Sequence, residues 1–104
     1  MKIKVKEGDV LRAVLDYLGY AKIFHHRNNS GAYKTERGGL VRFGARGSPD
    51  VIVVYRGQYI GIECKSSEGK QSESQREFQQ RLEDAGGVYL LVRSVDDLEQ
   101  FFKK

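Results

Sequence analysis

The sequence predicts an α/β domain in which a mixed central sheet is flanked by helices. Three segments have the apolar spacing of amphipathic helices, and short apolar runs rich in β-branched residues lie between them. The run Val51–Tyr55 is joined to segment 58–65 by the tight turn Arg56-Gly57, which makes that pair antiparallel. A helical segment then joins 58–65 to Val88–Val92, and such a crossover places those two strands parallel. The sheet is therefore expected to be mixed.

The first half of the chain is predicted to contain a helix and several short strands. Apolar side chains recur at helical spacing over residues 7–18, and Gly19 is the expected stop. A strand is predicted over 21–26. The glycine- and arginine-rich stretch that follows is expected to hold two short hairpin strands, at 32–34 and 40–43.

Clear start and stop signals bound the helices of the second half. Ser72 and Gln75 are spaced as a capping box at the start of a helix over 72–85, which a glycine pair ends. Val88–Val92 shows no alternation, as expected of a strand covered on both faces. A last amphipathic helix is predicted over 94–102.

The composition bounds the class of protein. A chain of 104 residues, 39% hydrophobic and 31% charged, is expected to form one globular domain over residues 1–104. Its apolar runs are too short to span a bilayer and no basic-then-apolar leader opens it, so we expect no membrane partner and a cytoplasmic location. Its one cysteine excludes an internal disulfide, which suits a reducing compartment. The net charge of +4 is a mild indication of a polyanionic partner.

Two acids and a lysine are predicted to meet at the open end of the 51–65 hairpin. Alternation along the second strand puts Glu63 and Lys65 on one face and Cys64 on the core face. The hairpin register brings Asp50 beside Glu63. Neighbouring carboxylates repel each other and are best tolerated around a hard cation such as Mg²⁺, while a lysine there can stabilise phosphate charge. A salt-bridged strand end is the alternative interpretation.

Two further residues favour chemistry at this end of the sheet. Glu7 lies three and four positions before Val10 and Leu11, on the buried stripe of the first helix, whereas Asp9 lies on the solvent side. The alternative is that Glu7 is only a first-turn acid favoured by the helix dipole. Gln75 lies on the helix face that is directed at the sheet. Besides capping its helix, it could position a lysine, a water or a phosphate at the strand ends.

The motif Pro49-Asp50 followed by Glu63-Cys64-Lys65 resembles the signature of the PD-(D/E)XK nuclease superfamily. More closely, the chain resembles the virus-type replication-repair nuclease (VRR-NUC) domain from about residue 7 to 98. The segments that carry this resemblance are Glu7, Arg27-Asn28-Asn29-Ser30-Gly31-Ala32-Tyr33-Lys34, Val41-Arg42-Phe43-Gly44, Gly47-Ser48-Pro49-Asp50, Ile62-Glu63-Cys64-Lys65, and Ser72 with Gln75. The resemblance implies the restriction-endonuclease-like αβββαβ core.

The resemblance also implies roles for particular residues. The implied catalytic residues are Glu7, Asp50, Glu63, Lys65 and Gln75. The implied ligands of Mg²⁺ or Mn²⁺ are Glu7, Asp50, Glu63 and the backbone carbonyl of Cys64. Asp9 is the alternative first-helix acid. The implied activity is that of a Holliday junction resolvase-like endonuclease of DNA repair, which hydrolyses phosphodiester bonds of four-way junctions or flaps with metal-activated water.

The glycine-rich stretch ahead of Asp50 is expected to contact DNA phosphates. The predicted DNA-binding residues are Asn28, Asn29, Ser30, Lys34, Arg37, Arg42 and Arg46. A solvated loop is the alternative for this stretch. Tyr33 and Phe43 either stack on a base or anchor the hairpin to the core, and the sequence does not distinguish between these roles.

A two-fold homodimer is the expected working unit, because a four-way junction needs two symmetric cuts and an isologous dimer supplies two sites. Its surface is expected on the 32–43 hairpin or on the last helix with Phe101 and Phe102. The sequence leaves two alternative functions. One is a non-catalytic nucleic-acid-binding module that keeps the nuclease fold. The other, a sequence-specific restriction-type enzyme, is disfavoured because the chain lacks room for a recognition domain.

Overall fold

The computed structural model describes residues 5–103, which form three α-helices and six β-strands. In chain order these are α1 Glu7–Tyr20, β1 His25–Arg27, β2 Gly31–Lys34, β3 Leu40–Phe43, β4 Val51–Tyr55, β5 Gln58–Cys64, α2 Glu73–Asp84, β6 Val88–Val92 and α3 Val95–Phe102. The predicted α/β class, with a mixed sheet flanked by helices, is confirmed. Apart from the β2–β3 hairpin, the order from α1 to β6 is helix, three strands, helix and strand, as the resemblance implies.

Four strands form the central sheet in the order β1-β4-β5-β6. Strand β4 pairs antiparallel with β1 and with β5, whereas β5 pairs parallel with β6. The antiparallel hairpin and the parallel crossover partner are therefore both as the sequence predicts. In the β4–β5 register Val51 lies opposite Ile62, so the preceding position, Asp50, lies opposite Glu63.

The main core lies between one face of the sheet and helices α1 and α3. Alternate residues of β5, Ile60, Ile62 and Cys64, are buried on this face. The other buried members of the core are Val10, Val14, Leu18, Val51, Val53, Val92 and Leu98. On the opposite face α2 packs against β6, and Leu82 lies over Gly61. Strand β5 is therefore buried along its last five residues.

Helix α1 ends later than the sequence predicts. Gly19 lies inside the helix, and the chain turns at Lys22, whose φ of 57° is left-handed. The N–H of Ile23 donates to the carbonyl of Leu18 at 3.0 Å, which is the long hydrogen bond of a Schellman cap. A glycine inside a helix costs only about 1 kcal/mol, so this cap sets the end instead. The turn occupies the first half of the predicted strand 21–26, and the prediction is wrong there.

The turn between β4 and β5 has the predicted tight geometry. Arg56 and Gly57 have φ values of 52° and 78°, which suit the turn type whose twist matches antiparallel strands. The ring of Tyr55 lies beneath the Arg56 guanidinium, 5.0 Å from it, and meets Phe102 edge-on at 5.0 Å. Phe101 and Phe102 of α3 pack on the core at this end of the sheet.

The β2–β3 hairpin forms a separate two-stranded sheet. All of its strand residues are exposed, and the longest dimension of the molecule is 51 Å. Tyr33 lies opposite Val41, and Gly31 opposite Phe43, so the side chains of Tyr33, Val41 and Phe43 share one face. The other face carries Ala32, Lys34, Leu40 and Arg42. The hairpin therefore has an aromatic face and a basic face.

The helices of this chain are short, with α2 spanning 12 residues and α3 spanning 8. None of the helices in residues 5–103 is long and apolar enough to cross a lipid bilayer.

Candidate active site

Asp50 and Glu63 lie side by side at the carboxyl end of β5. Asp50 immediately precedes β4, and its Oδ2 accepts the backbone N–H of Cys64 at 2.8 Å. This hydrogen bond holds the Asp50 side chain against the end of β5. The structure thus brings together the two acids that the hairpin register places opposite each other.

The bend that carries Asp50 is held between the strands on either side of it. Pro49 is buried, and a Cβ at Gly61 would lie only 2.5 Å from the Cγ of Pro49, so a glycine is required where the bend crosses β5. From the β1 side, Nδ2 of Asn28 donates to Ser48 Oγ and to the carbonyl of Pro49, both at 2.9 Å. The position of Asp50 is therefore set by packing on one side and by hydrogen bonds on the other.

Glu63 is a buried acid, with only 2% of its surface exposed. Among the described residues, nothing forms a hydrogen bond with its Oε1. Burial, followed by the charge of Asp50 and a hydrogen bond with it, raises the pKa of Glu63 to about 8. The positive charge of Lys65 opposes this rise. A buried carboxylate oxygen without a partner is costly, and a bound cation would remove that cost.

Glu7 and Lys65 complete the cluster. Oε1 of Glu7, in the first turn of α1, lies 3.8 Å from Nζ of Lys65, whose side chain is only 12% exposed. One carboxylate oxygen from each of Glu7, Asp50 and Glu63 lies within 4.8 Å of the other two. Oxygens that share one hard cation at about 2.1–2.5 Å lie up to about 4–5 Å apart. The three acids therefore fit a single divalent cation.

Of the two acids in the first turn of α1, Glu7 belongs to the acidic cluster and Asp9 does not. Oδ1 of Asp9 lies 3.7 Å from Nη1 of Arg12, and both side chains are more than half exposed. Asp9 thus forms an ion pair within its own helix. The Glu7 side chain is 54% exposed, so its predicted place on the buried stripe is wrong, yet it is the acid that reaches Lys65.

Cys64 contacts the acidic cluster through its backbone N–H, which donates to Asp50. Its thiol is buried in the core, and burial raises the pKa of that thiol to about 12, so it stays protonated at neutral pH. A protonated thiol on the core face is not a metal ligand. The role that the resemblance implies, through the backbone carbonyl, stays a prediction.

Gln75 forms the predicted capping box of α2. Its Oε1 accepts the N–H of Ser72 at 2.8 Å, and its own N–H donates to Ser72 Oγ at 3.2 Å. The structure therefore assigns the carbonyl end of this side chain to the start of the helix. A further role of Gln75 in catalysis stays a prediction.

Arg93 supports the site and was not identified from the sequence. It directly follows β6, and its Nη1 donates to the carbonyls of Ser66 and Gly69 at 2.6 and 2.7 Å. The loop that these carbonyls belong to begins immediately after Lys65. The signal in the sequence was weak, because only the parallel pairing of β5 with β6 brings this arginine beside that loop.

The predicted DNA-binding residues divide into two groups. Asn28 is half-buried, and its amide donates within the Asp50 bend. The other six, which are all exposed, are Asn29, Ser30, Lys34, Arg37, Arg42 and Arg46. Ser30, Arg42 and Arg46 line one open pocket at the base of the β2–β3 hairpin, together with the backbone of Gly44 and Gly47. This pocket presents two guanidinium groups to solvent.

Comparison with known proteins adds no assignment, since no family model matches the chain and no curated protein is significantly similar to it.

Proposed function

We propose that this protein is a metal-dependent, structure-specific endonuclease that hydrolyses phosphodiester bonds in branched DNA, such as four-way junctions or flaps. One observation carries the proposal. Three carboxylate oxygens lie within 4.8 Å of one another beside Lys65, and one of the acids is buried with an oxygen that lacks a partner among residues 5–103. The order P-D then E-x-K along the chain agrees with the nuclease signature.

Each residue of the cluster has a role in the proposed reaction. Asp50 and Glu63 would hold Mg²⁺ or Mn²⁺ from the sheet, and Glu7 would complete the site from α1. A cation bound there supplies an acidic water and neutralises charge on the phosphate. The ammonium group of Lys65 donates to a phosphate oxygen and stabilises the charge that develops as the phosphodiester bond breaks.

The exposed cations of the β2–β3 hairpin support a DNA partner. Arg42 and Arg46 face one open pocket, and Lys34 shares the basic face of the hairpin with Arg42. Guanidinium groups match phosphate geometry and supply the affinity of such proteins for the DNA backbone. A cytoplasmic location, a role in DNA repair and a two-fold homodimer belong to the same proposal.

The test is an assay of the purified protein on four-way junction, flap, duplex and single-stranded DNA, with Mg²⁺, Mn²⁺ or EDTA. Junction or flap DNA should be cut only when metal is present. Asp50→Ala and Glu63→Ala should each abolish cutting, because each removes a proposed ligand of the cation, and circular dichroism should show that each variant is still folded. Lys65→Ala should lose cutting but still bind Mn²⁺ in calorimetry.

Asp9→Ala is the matched control, since it removes an acid from the same helix as Glu7 but outside the cluster. It should cut DNA at the wild-type rate. Cleavage that persists in EDTA, or in either carboxylate variant, would overturn the assigned site. Tight DNA binding without cleavage under any metal condition would favour the non-catalytic binding module instead.

A further inference from the structure

Asn28 makes more contacts to the Asp50 bend than any role in DNA binding would explain. Its backbone N–H donates to the carbonyl of Asp50 at 2.7 Å, which extends the β1–β4 ladder by one residue pair. Its side-chain Nδ2 donates to Ser48 Oγ and to the carbonyl of Pro49, both at 2.9 Å. One asparagine thus binds three consecutive residues that lead into the metal cluster.

The geometry explains why an asparagine serves here. The Pro49 carbonyl lies in a bend, so no neighbouring strand supplies its hydrogen bond, and a buried carbonyl without a donor is costly. An amide side chain offers two N–H donors from one nitrogen. Nδ2 can therefore satisfy both the carbonyl and the serine hydroxyl, while the backbone of Asn28 continues the sheet.

We infer that Asn28 is a positioning residue for the metal site rather than a contact to DNA. It holds the Ser48-Pro49-Asp50 bend so that Oδ2 of Asp50 stays on the N–H of Cys64, with its carboxylate directed at Glu63. The neighbouring Asn29 is exposed, and the hydrogen bonds to Ser48 and Pro49 come from Asn28. The inference rests on the metal site proposed above, and it is an alternative to the sequence-based prediction that Asn28 binds DNA.

The test compares Asn28→Ala with Asn29→Ala. In the metal-free protein, amide hydrogen exchange followed by NMR reports whether the Cys64 N–H keeps its acceptor on Asp50. We expect exchange at Cys64 to accelerate at least tenfold in Asn28→Ala, with no change at core positions such as Ile60. Asn29→Ala should leave it unchanged.

Two binding measurements separate positioning from DNA contact. Asn28→Ala should weaken Mn²⁺ binding at least tenfold in calorimetry and leave the affinity for junction DNA in EDTA at the wild-type value. Asn29→Ala should weaken the binding of junction DNA in EDTA and leave Mn²⁺ binding at the wild-type value. Unchanged Cys64 exchange, or a loss of DNA affinity in EDTA equal to that of Asn29→Ala, would overturn the inference.

If Asn28→Ala does not fold, Ser48→Ala is the second variant, because it removes one of the two acceptors of Nδ2 and leaves the Pro49 contact. It should accelerate Cys64 exchange in the same direction and by less, and unchanged exchange would count against the inference. The exchange measurement needs neither metal nor DNA. It therefore reports on Asn28 even where wild-type protein cuts no DNA, an outcome that would overturn the proposed function alone.

Discussion

Glu63 is only 2% exposed and lies next to Asp50. Lys65 supplies the positive charge that lowers the pKa of Glu63, whereas the neighbouring acids raise it. Burial first, and then the charge of Asp50, raise its pKa from 4.5 to about 8. The folded, metal-free protein therefore keeps a proton there that the unfolded chain releases. Because the folded state binds more protons between these two values, the contribution of Glu63 to stability is greatest below about pH 4.5 and is lost as the pH rises to about 8.

Glu63→Gln should remove this pH dependence, since an amide carries neither the charge nor the proton. Without metal, the wild-type melting temperature should fall from pH 5.5 to 8, with a stability slope of at most about 1.4 kcal/mol per pH unit. In the variant the contribution of residue 63 should be absent, so its melting temperature should fall less over the same pH range. Glu99→Gln, on the exposed side of α3, is the matched control and should behave as wild type. If the melting temperatures of wild type and Glu63→Gln fell equally with pH, the raised pKa of Glu63 would be contradicted.

The same protonation should govern metal binding. A divalent cation needs the Glu63 carboxylate and must displace its proton, so affinity rises with pH. Calorimetry with Mn²⁺ at pH 6, 7 and 8 should show the association constant rising by up to about tenfold per pH unit. A flat profile would mean that Glu63 is already ionised in the folded protein.

At the scale of the elements, the β2–β3 hairpin is unlike the rest of the molecule. A two-stranded hairpin is marginally stable in water unless something packs on it, yet all strand positions of this one are exposed. Its base carries the open pocket with Arg42 and Arg46. An exposed element with two arginines that shortly precede Asp50 in the chain is suited to hold a phosphate backbone.

Replacing Arg42 and Arg46 together by Gln should weaken DNA binding and lower its salt dependence. Each phosphate contact contributes about 0.9 to the slope of log affinity against log salt, so the slope should fall by about 1–2. The control replaces Lys22 and Arg56 by Asn, which removes the same charge at the far ends of α1 and β4. Asn tolerates the left-handed φ at both positions. If the slope is unchanged in the Arg42 and Arg46 variant, this hairpin does not hold the DNA backbone.

At the scale of the whole molecule, the structure separates the two surfaces expected for a dimer. Phe101 and Phe102 are half-buried and pack on the core, with Phe102 edge-on to Tyr55. Tyr33, Val41 and Phe43 instead share an exposed face of the hairpin. A second copy that packs on this face would supply the support that an isolated hairpin lacks.

The proposed homodimer should therefore depend on the hairpin. Light scattering at micromolar concentration should give a dimer mass for wild type and a monomer mass for Val41→Glu, because a buried unpaired charge disfavours the interface. Val54→Glu is the control, since Val54 is also exposed but lies on the central sheet. A wild-type monomer, both free and with junction DNA, would refute the dimer.

Local sequence patterns were sufficient to predict much of the secondary structure of this protein. Helical spacing, the Ser72 and Gln75 capping box and the Arg56-Gly57 turn depend on residues close in the chain, and the structure has each of them. The meeting of Asp50 and Glu63 also followed from the sequence, because a two-residue turn sets the register of the hairpin.

Other features depended on contacts between distant parts of the chain. The end of α1 was missed because a lysine, and not Gly19, takes the left-handed position of its cap. Glu63 is buried on β5, which lies between β4 and β6, and the hydrogen bonds of Asn28 require β1 to lie beside β4. Such contacts depend on how the layers pack, and hydrophobic periodicity carries no information about which polar atoms meet across them.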